Sequence, residues 1–267
     1  MPQISIITVN YNDATGLERT IKSVQVQTAT DYEHIIIDGN STDGSKEIIL
    51  QHQAGFSYWV SEPDNGIYNA MNKGILKAKG KYLLFLNSGD VLHSKEVLKY
   101  ALDHLKNDFS FVSGNTQMLS QSPWIKKSPI RMYHSYLYHT SLPHPSTFIK
   151  SDMFVKYGVY ETNYNVVADW VFFFKAIVLN AESYAYIDKI IANFNMNGIS
   201  STYDSKKERM KHLLSVHPYI KNNKNDEFLL SQFIEPNNRF KIIANLENKP
   251  LARKIATGCL TIIDKLF

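Results

Sequence analysis

Lys81–Asp90, KYLLFLNSGD, is an apolar run that ends in a small-residue turn carrying an acid. Lys81–Leu86 reads as a strand covered on both faces, because such strands are near-continuous apolar runs rather than alternating ones. A carboxylate at the end of a buried strand is unfavourable unless its charge finds a partner. The same shape recurs upstream: Ile4–Val9 stops at NYND, Tyr32–Ile37 stops at Asp38, and Phe56–Val60 stops at SEPDNG. Between these strands, Leu17, Ile21 and Val24 line one helical face behind a Thr15/Glu18 capping box. A second helix runs to about His52, and Ile67, Met71 and Ile75 mark a third. Strands alternating with helices at this spacing predict an α/β fold built on a doubly wound, mainly parallel sheet. Ligands bind such sheets beyond the carboxyl ends of the strands. Asp38, Glu62, Asp64 and Asp90 all fall at or just past such ends.

Further along, Phe109–Gly114 predicts a fifth strand, followed by a long loop with short helices over 115–145, a segment rich in proline and aromatics. A strand near Ser146–Lys150, a helix from about Val167 to Leu179 and a strand near Tyr184–Ile187 follow. From Ser205 the pattern is helical to the end, interrupted near 221–226 and at Pro236. The expected organisation is one domain over 1–204 in two halves, 1–114 and 115–204, and a helical basic extension over 205–267.

The 267 residues, 44% of them apolar, suffice for one sizeable domain with an elaboration, or at most two domains. The net charge of +4 is too mild to indicate nucleic acid. It is unevenly spread: residues 1–204 carry 17 basic and 19 acidic side chains, and residues 205–267 carry 12 and 6, a net of +6. A basic surface or contact with an anionic membrane face accounts for that excess. Cys259 is the only cysteine, so neither an intrachain disulfide nor a cysteine metal cluster is available. The opening MPQISIITVNYN lacks the features of a signal peptide, and no run of about 18 uncharged apolar residues occurs. A cytoplasmic protein is expected.

Each acid has two readings. Asp38 and Asp43 either accept hydrogen bonds from a nucleobase or ribose, or cap the helix opening near Gly44. Asp90, beside the small Ser88 and Gly89, either caps a turn or holds a divalent cation that bridges two phosphates. Asp169, in NVVADWVFFFKA, either favours a helix dipole or acts as a general base. His144, between prolines in LPHPS, is a rigid loop residue or a neighbour of the phosphates. No G-x-G-x-x-G or G-x-x-x-x-G-K-[ST] occurs, which disfavours dinucleotide binding and the common nucleotide triphosphatases.

Together these stretches resemble the family-two glycosyltransferases, inverting enzymes of the GT-A fold that use nucleotide-diphosphate sugars. SIITVNYND resembles their first strand and loop, which implies that Thr8, Asn10 and Tyr11 line the base pocket. IIIDGNSTDGS resembles the second loop, implying that Asp38 meets the base and Asp43 supports it. WVSEPDNGIYNAMNKGILKAKGKYLLFLNSGD resembles the longest signature, in particular that of members building bacterial surface polysaccharides. It places Glu62 and Asp64 beside nucleotide and sugar, with Asn69 to Lys73 on the helix behind, and Ser88 against the donor phosphates. NSGD stands where the family keeps its metal-binding D-x-D. Here Asn87 or Ser88 replaces the first acid, leaving Asp90 to hold Mg²⁺ or Mn²⁺ while water and phosphates complete the shell. Asp169 stands where the family keeps its base, with Ala168 in place of the usual acidic neighbour. His144 and Asn195–Ser201 resemble acceptor-side and closing-loop features. The likeness spans roughly residues 3–200 and is most specific over 3–90.

The resemblance implies inverting transfer of a sugar from a nucleotide-diphosphate sugar to a hydroxyl of a saccharide or lipid-linked saccharide acceptor in cell-surface polysaccharide synthesis. A nucleotidyltransferase of sugar phosphates is the first rival, but NYNDATG lacks the Lys or Arg that a triphosphate loop needs. A non-catalytic nucleotide-sugar-binding protein is the second. The basic, amphipathic PLARKIATGCLTIIDKLF at the end of the chain predicts contact with an anionic membrane. Deleting 249–267 should therefore reduce sedimentation with anionic vesicles; unchanged sedimentation would remove that segment as the anchor.

Overall fold

The computed structural model describes residues 1–196 and 205–216. The strands are β1 (Ile4–Asn10), β2 (Tyr32–Asp38), β3 (Tyr58–Ser61), β4 (Tyr82–Phe85), β5 (Val91–Leu92), β6 (Phe111–Leu119), β7 (Trp124–Lys126), β8 (Thr147–Lys150) and β9 (Tyr184–Asn195). The helices are α1 (Ala14–Gln25), α2 (Ser45–His52), α3 (Ile67–Lys77), α4 (Val97–Leu105), α5 (His134–His139), α6 (Asp152–Tyr157), α7 (Ala168–Phe173) and α8 (Ser205–Val216). All the strands join one sheet in the order β3-β2-β1-β4-β8-β6-β9-β5, with β7 paired to β6.

The sheet is parallel in its first half and mixed in its second. β3, β2, β1 and β4 are mutually parallel, but β8 runs against both β4 and β6, β5 runs against β9, and β7 runs against β6. β6 and β9 are parallel, and β9 bulges between its pairings with Ser113 and Thr116. Period-two alternation divides the core: Ile35 and Ile37 face one layer of helices, and Ile36 faces the other. The first layer contains α3 and α5 to α8 around an aromatic cluster in which Phe154 stacks on Phe172 at 4.5 Å. The second has α1 and α2 over Leu17, Ile21 and Ile49, and α4 through Val97, Leu98 and Ala101. Gly74 lets α3 lie directly on β1, since a Cβ there would run into Ile7.

Several local expectations change. The first helix opens at Asp13, whose carboxylate accepts from the Gly16 amide at 3.0 Å. Thr15 is already inside the first turn, and Glu18 turns outward to Lys22 at 2.6 Å instead of closing a capping box. Residues 115–126 are not loop: β6 runs on to Leu119 and folds back as the β7 hairpin, pairing Thr116 with Lys126. Its polar residues lack an apolar strand signature, and pairing with β7 and β9 supplies the stability instead. The helix at 168–178 widens to a π-type turn from Phe174 to Val178. β9 runs twelve residues, well past Ile187, and so delivers Asn195 to the carboxyl end of the sheet.

α8 is built into the main core rather than lying apart from it. Leu213 is fully buried, the Tyr164 hydroxyl and His212 Nδ1 are 3.0 Å apart, and Glu208 accepts from the amides of Asn165 and Val166 at 2.8 and 3.1 Å. The remainder of the basic segment expected at the membrane lies outside the described residues. Among the described residues no helix is long and apolar enough to cross a membrane.

His34 is buried inside β2, with Nε2 3.0 Å from the Thr8 hydroxyl and no partner at Nδ1. Burial pushes its pKa down to about 3 from the usual 6.5. Between these values the unfolded chain binds a proton that the folded chain refuses, so this stability is present near neutrality and lost as pH falls through that window. Each pH unit is worth about 1.4 kcal/mol. Urea midpoints should fall less steeply from pH 6.5 to 4 in His34→Gln than in the wild type; parallel curves would remove His34 as the source.

Candidate active site

The parallel register of β1, β2 and β3 sets Asn10 level with Asp38 and Asp38 level with Ser61. Asp38 has no exposed surface, and four donors saturate it: Asn10 Nδ2 at 2.7 Å, Ser41 Oγ at 2.6 Å, the Ser41 amide at 3.0 Å and Ser61 Oγ at 2.6 Å. The loops after β1 and β2 are tied further. Asn12 accepts from the Thr42 amide at 2.9 Å, and its own amide donates to Ser41 Oγ at 2.8 Å. Asp43 accepts from the Ala14 amide at 2.8 Å and from the Ser45 amide and hydroxyl. Burial acts to raise the Asp43 pKa, but the Ser45 hydroxyl and the Ala14 and Ser45 amides hold it below the usual carboxylate range.

Around this knot the expected donor residues divide. Thr8 is buried inside the sheet against His34 and does not face the cleft. Tyr11 is 68% exposed, and its ring and the half-buried Asp64 carboxylate flank Gly39 so closely that a Cβ there would meet both. Asp64 also accepts from the Gly66 amide at 2.9 Å. Asn69 accepts from the Asn65 amide, and Lys73 joins Glu62 at 2.8 Å and the Pro63 carbonyl at 2.9 Å. Asn69 and Lys73 thereby pin the 61–66 loop to α3. Ser88 lies against the end of β1, its amide donating to the Val9 carbonyl.

Past the ends of β4 and β9 a second group converges. The His144 ring lies between two carboxylates, its Nε2 3.9 Å from Asp90 Oδ2 and its Nδ1 3.6 Å from Asp169 Oδ2. Asn87 Nδ2 is 3.2 Å from His144 Nε2, and Asn87 Oδ1 is buried without a partner. Asp90, 3% exposed, accepts from the Asn195 amide at 2.9 Å. Gly89 sits in the left-handed region at φ 89°, and a side chain there would collide with Asn195 and approach Asp13. Asp169 Oδ1 accepts from the Tyr68 hydroxyl at 3.0 Å and the Trp170 amide at 2.8 Å.

The two carboxylates are pushed in opposite directions. Burial raises Asp90 to about 7 against the opposing pull of His144 and the Asn195 amide. Burial also acts to raise Asp169, but His144, the Trp170 amide and the Tyr68 hydroxyl outweigh it and hold the group below its usual range. Burial and the Asp169 charge hold Tyr68 well above its ordinary value, so its hydroxyl remains a donor.

Sequence reasoning missed Tyr68, Lys126 and Arg209. Tyr68 lies inside the long signature stretch but is given no role there, Lys126 falls in the segment read as loop, and Arg209 falls in the tail. Only the packing around Asp169 singles them out. Asn87 was noted only as a replaced acid, although its amide reaches His144. A separate cavity of about 420 Å³ lies away from this cleft, lined by Tyr100, Lys127 and Asp188 among others.

The profile described as Glycosyl transferase family 2 matches residues 5–165. An uncharacterized glycosyltransferase of Mycobacterium tuberculosis is 31% identical over 205 residues, which cover 75% of this chain and 78% of that protein. A PGL/p-HBAD biosynthesis glycosyltransferase of Mycobacterium bovis is 29% identical over 213 residues, covering 77% and 82%. Among solved structures, Staphylococcus aureus TarS in complex with UDP-GlcNAc superposes with a TM-score of 0.68 at 18% identity, covering 88% of this chain and 70% of that one. A mannosyltransferase of Pyrobaculum calidifontis in complex with GDP-Man and Mn²⁺ superposes with a TM-score of 0.63 at 16% identity, covering 97% and 75%. The chain belongs to glycosyltransferase family 2 and has the GT-A fold.

Because the fully buried Asp38 collects four donors, Asp38→Ala should leave several of them unsatisfied. The expected loss of stability is roughly 2–4 kcal/mol in urea unfolding. An unchanged midpoint would show that the loops do not depend on this carboxylate.

Proposed function

We propose that this chain transfers a sugar from a nucleotide-diphosphate sugar to a hydroxyl of a saccharide or lipid-linked saccharide, with inversion at the anomeric carbon. The carrying observation is the one-sided bonding of Asp169. Tyr68 and the Trp170 amide occupy Oδ1, while Oδ2 faces His144 and no other hydrogen-bond donor among the described residues. A carboxylate fixed on one oxygen and available on the other suits a general base. In this reading Oδ2 takes the proton of the acceptor hydroxyl as that oxygen attacks the sugar, and the nucleoside diphosphate departs from the opposite face.

The donor half supports the reading in a different way from its motif. Asn10, Asp38 and Asp43 build the loops, and Tyr11 with Asp64 presents the surface on which a base would lie. Glu62, Asn69, Lys73 and Ser88 back that surface. The solved relatives were captured with UDP-GlcNAc in one case and with GDP-Man and Mn²⁺ in the other, which favours a nucleotide-sugar donor of the same kind.

Among the described residues no cluster of three or more His, Cys, Asp or Glu side chains gathers. A smaller donor set does fit a divalent cation. Asp90 is a buried carboxylate with a raised pKa, His144 Nε2 lies near it, and Asn87 Oδ1 is buried without a partner. Mg²⁺ commonly reaches protein through one or two carboxylates and completes its shell with phosphate oxygens and water. Asp90, His144 and Asn87 would hold Mg²⁺ or Mn²⁺, which supplies charge neutralisation for the departing diphosphate. The acceptor reading places the protein in surface-polysaccharide assembly in the cytoplasm, peripheral to an anionic membrane through the basic 205–267 segment.

A thermal-shift screen of UDP, GDP and dTDP, each with and without Mn²⁺, should show one nucleotide stabilising the protein more strongly when the cation is present. Asp169→Asn should lower turnover about 10²–10⁴-fold while leaving that nucleotide shift intact. Wild-type turnover in a folded Asp169→Asn protein would end the base assignment.

A further inference from the structure

Two cations act on Asp169, one of them packed on the neighbouring Trp170. Lys126 projects from β7, half-buried, and forms no ion pair among the described residues. Arg209 projects from α8 with its guanidinium 5.3 Å from the centre of the Trp170 ring, and Nη1 donates a long 3.4 Å bond to the His139 carbonyl. Its Nε is buried and has no partner. Burial and the Arg209 charge push the Lys126 pKa down to about 8, with Asp169 opposing. Burial likewise lowers that of Arg209, and Asp169, Tyr68 and Tyr136 oppose the shift.

Like charges brought together out of water repel, so the pair requires balancing. Asp169 offsets one positive charge, and the second remains. Among the described residues, the surrounding segments supply no further acid to neutralise it. No acid occurs between Asp108 and Asp152, so β7 and the residues around α5 contribute none. The single acid of α8, Glu208, is committed to the amides of Asn165 and Val166.

The order of groups also separates these cations from the donor side. Asp90 interacts with His144 and Asp13, whereas Lys126 interacts with Arg209 and Asp169. Asp169 acts on both cations, and Asp90 is not among the groups that do. An incoming acceptor must reach Asp169 from some direction other than the departing diphosphate. Tyr136, half-buried near Arg209, is an aromatic side chain of the kind that packs on a sugar.

We propose that Lys126 and Arg209 form an anion subsite of the acceptor site, so that the acceptor carries a carboxylate or phosphate group close to the hydroxyl that Asp169 deprotonates. The proposal rests on the assignment of Asp169 as base and deepens it by naming the acceptor's chemical class. Arg209 grips the anion by its guanidinium edge while stacked on Trp170, and Lys126 supplies a second charge. Uronic acids and sugar phosphates share the required chemistry.

The test uses the full chain saturated with Mn²⁺ and the nucleoside diphosphate that binds it, which fills the donor side. Methyl β-glucuronide, glucose 6-phosphate and methyl β-glucoside are then titrated calorimetrically. At least one anionic sugar should bind about tenfold or more tightly than the neutral glucoside. The stronger of the two anions identifies a carboxylate or a phosphate as the source. Lys126→Gln and Arg209→Gln should each erase most of that preference and leave nucleotide affinity unchanged. Because Arg209 also packs on Trp170, Lys126→Gln carries the test if the Arg209 variant fails to fold. Equal binding of all three sugars, no binding of any, or wild-type anion preference in the folded variants would overturn the proposal. A loss of nucleotide affinity in either variant would also overturn it, by assigning the cations to the diphosphate. Failure of every nucleoside diphosphate to bind would instead remove the donor reading beneath it.

Discussion

The cleft depends on the register of β1, β2 and β3, which brings Asn10, Asp38 and Ser61 to one level. A carboxylate with no exposed surface is costly unless donors surround it, and four do so. Moving any of these strands by one residue would turn its side chain to the other face of the sheet. The charge therefore acts as a register lock as well as a loop anchor. Through Ser41, Asn12 and Asp43 the lock extends to the first turns of α1 and α2, leaving Tyr11 projecting into solvent above a rigid floor.

Two further buried carboxylates show how environment assigns different chemistry to one residue type. Asp90 has one backbone donor, so desolvation prevails and its pKa rises. Asp169 has the Tyr68 hydroxyl, the Trp170 amide and His144, and donors prevail. His144 touches both, one ring nitrogen toward each. The cleft thus groups a buried carboxylate with a raised pKa, an imidazole, a carboxylate satisfied on one side, and two cations that act on it. Such a grouping suits a reaction in which negative charge builds on a departing diphosphate while a proton leaves on the opposite side.

Asp169 is held by packing from both halves of the chain. Tyr68 arrives on α3 from the first half, and its ring meets Tyr160 edge-on. Tyr160 in turn contacts Phe85, Phe154 and Phe172. Trp170, the neighbour of Asp169, is fully buried and donates to the Leu137 carbonyl at 2.6 Å. α8 closes the back of this cluster with His212 and Leu213. The aromatic core therefore positions Asp169 as well as contributing burial.

Local patterning alone determined the first half of the protein. Continuous apolar runs ending in acids made buried parallel strands and a cleft at their carboxyl ends legible, because hydrophobic periodicity and strand-end chemistry are local properties. The same stretches marked Asp90 and Asp169 as acids with two meanings, and the family resemblance set Tyr11, Asp38 and Asp64 about the nucleotide. Tertiary structure decided the rest. Asp38 is a saturated knot, Thr8 is sealed inside the sheet, and the β6–β7 hairpin replaces an expected loop, because donors and strand partners come from residues distant in sequence. Tyr68, Lys126 and Arg209 carry no signature of their own. They matter only because three separately placed elements pack around one carboxylate, and burial turns their ordinary charges and hydroxyls into interactions that water would otherwise screen.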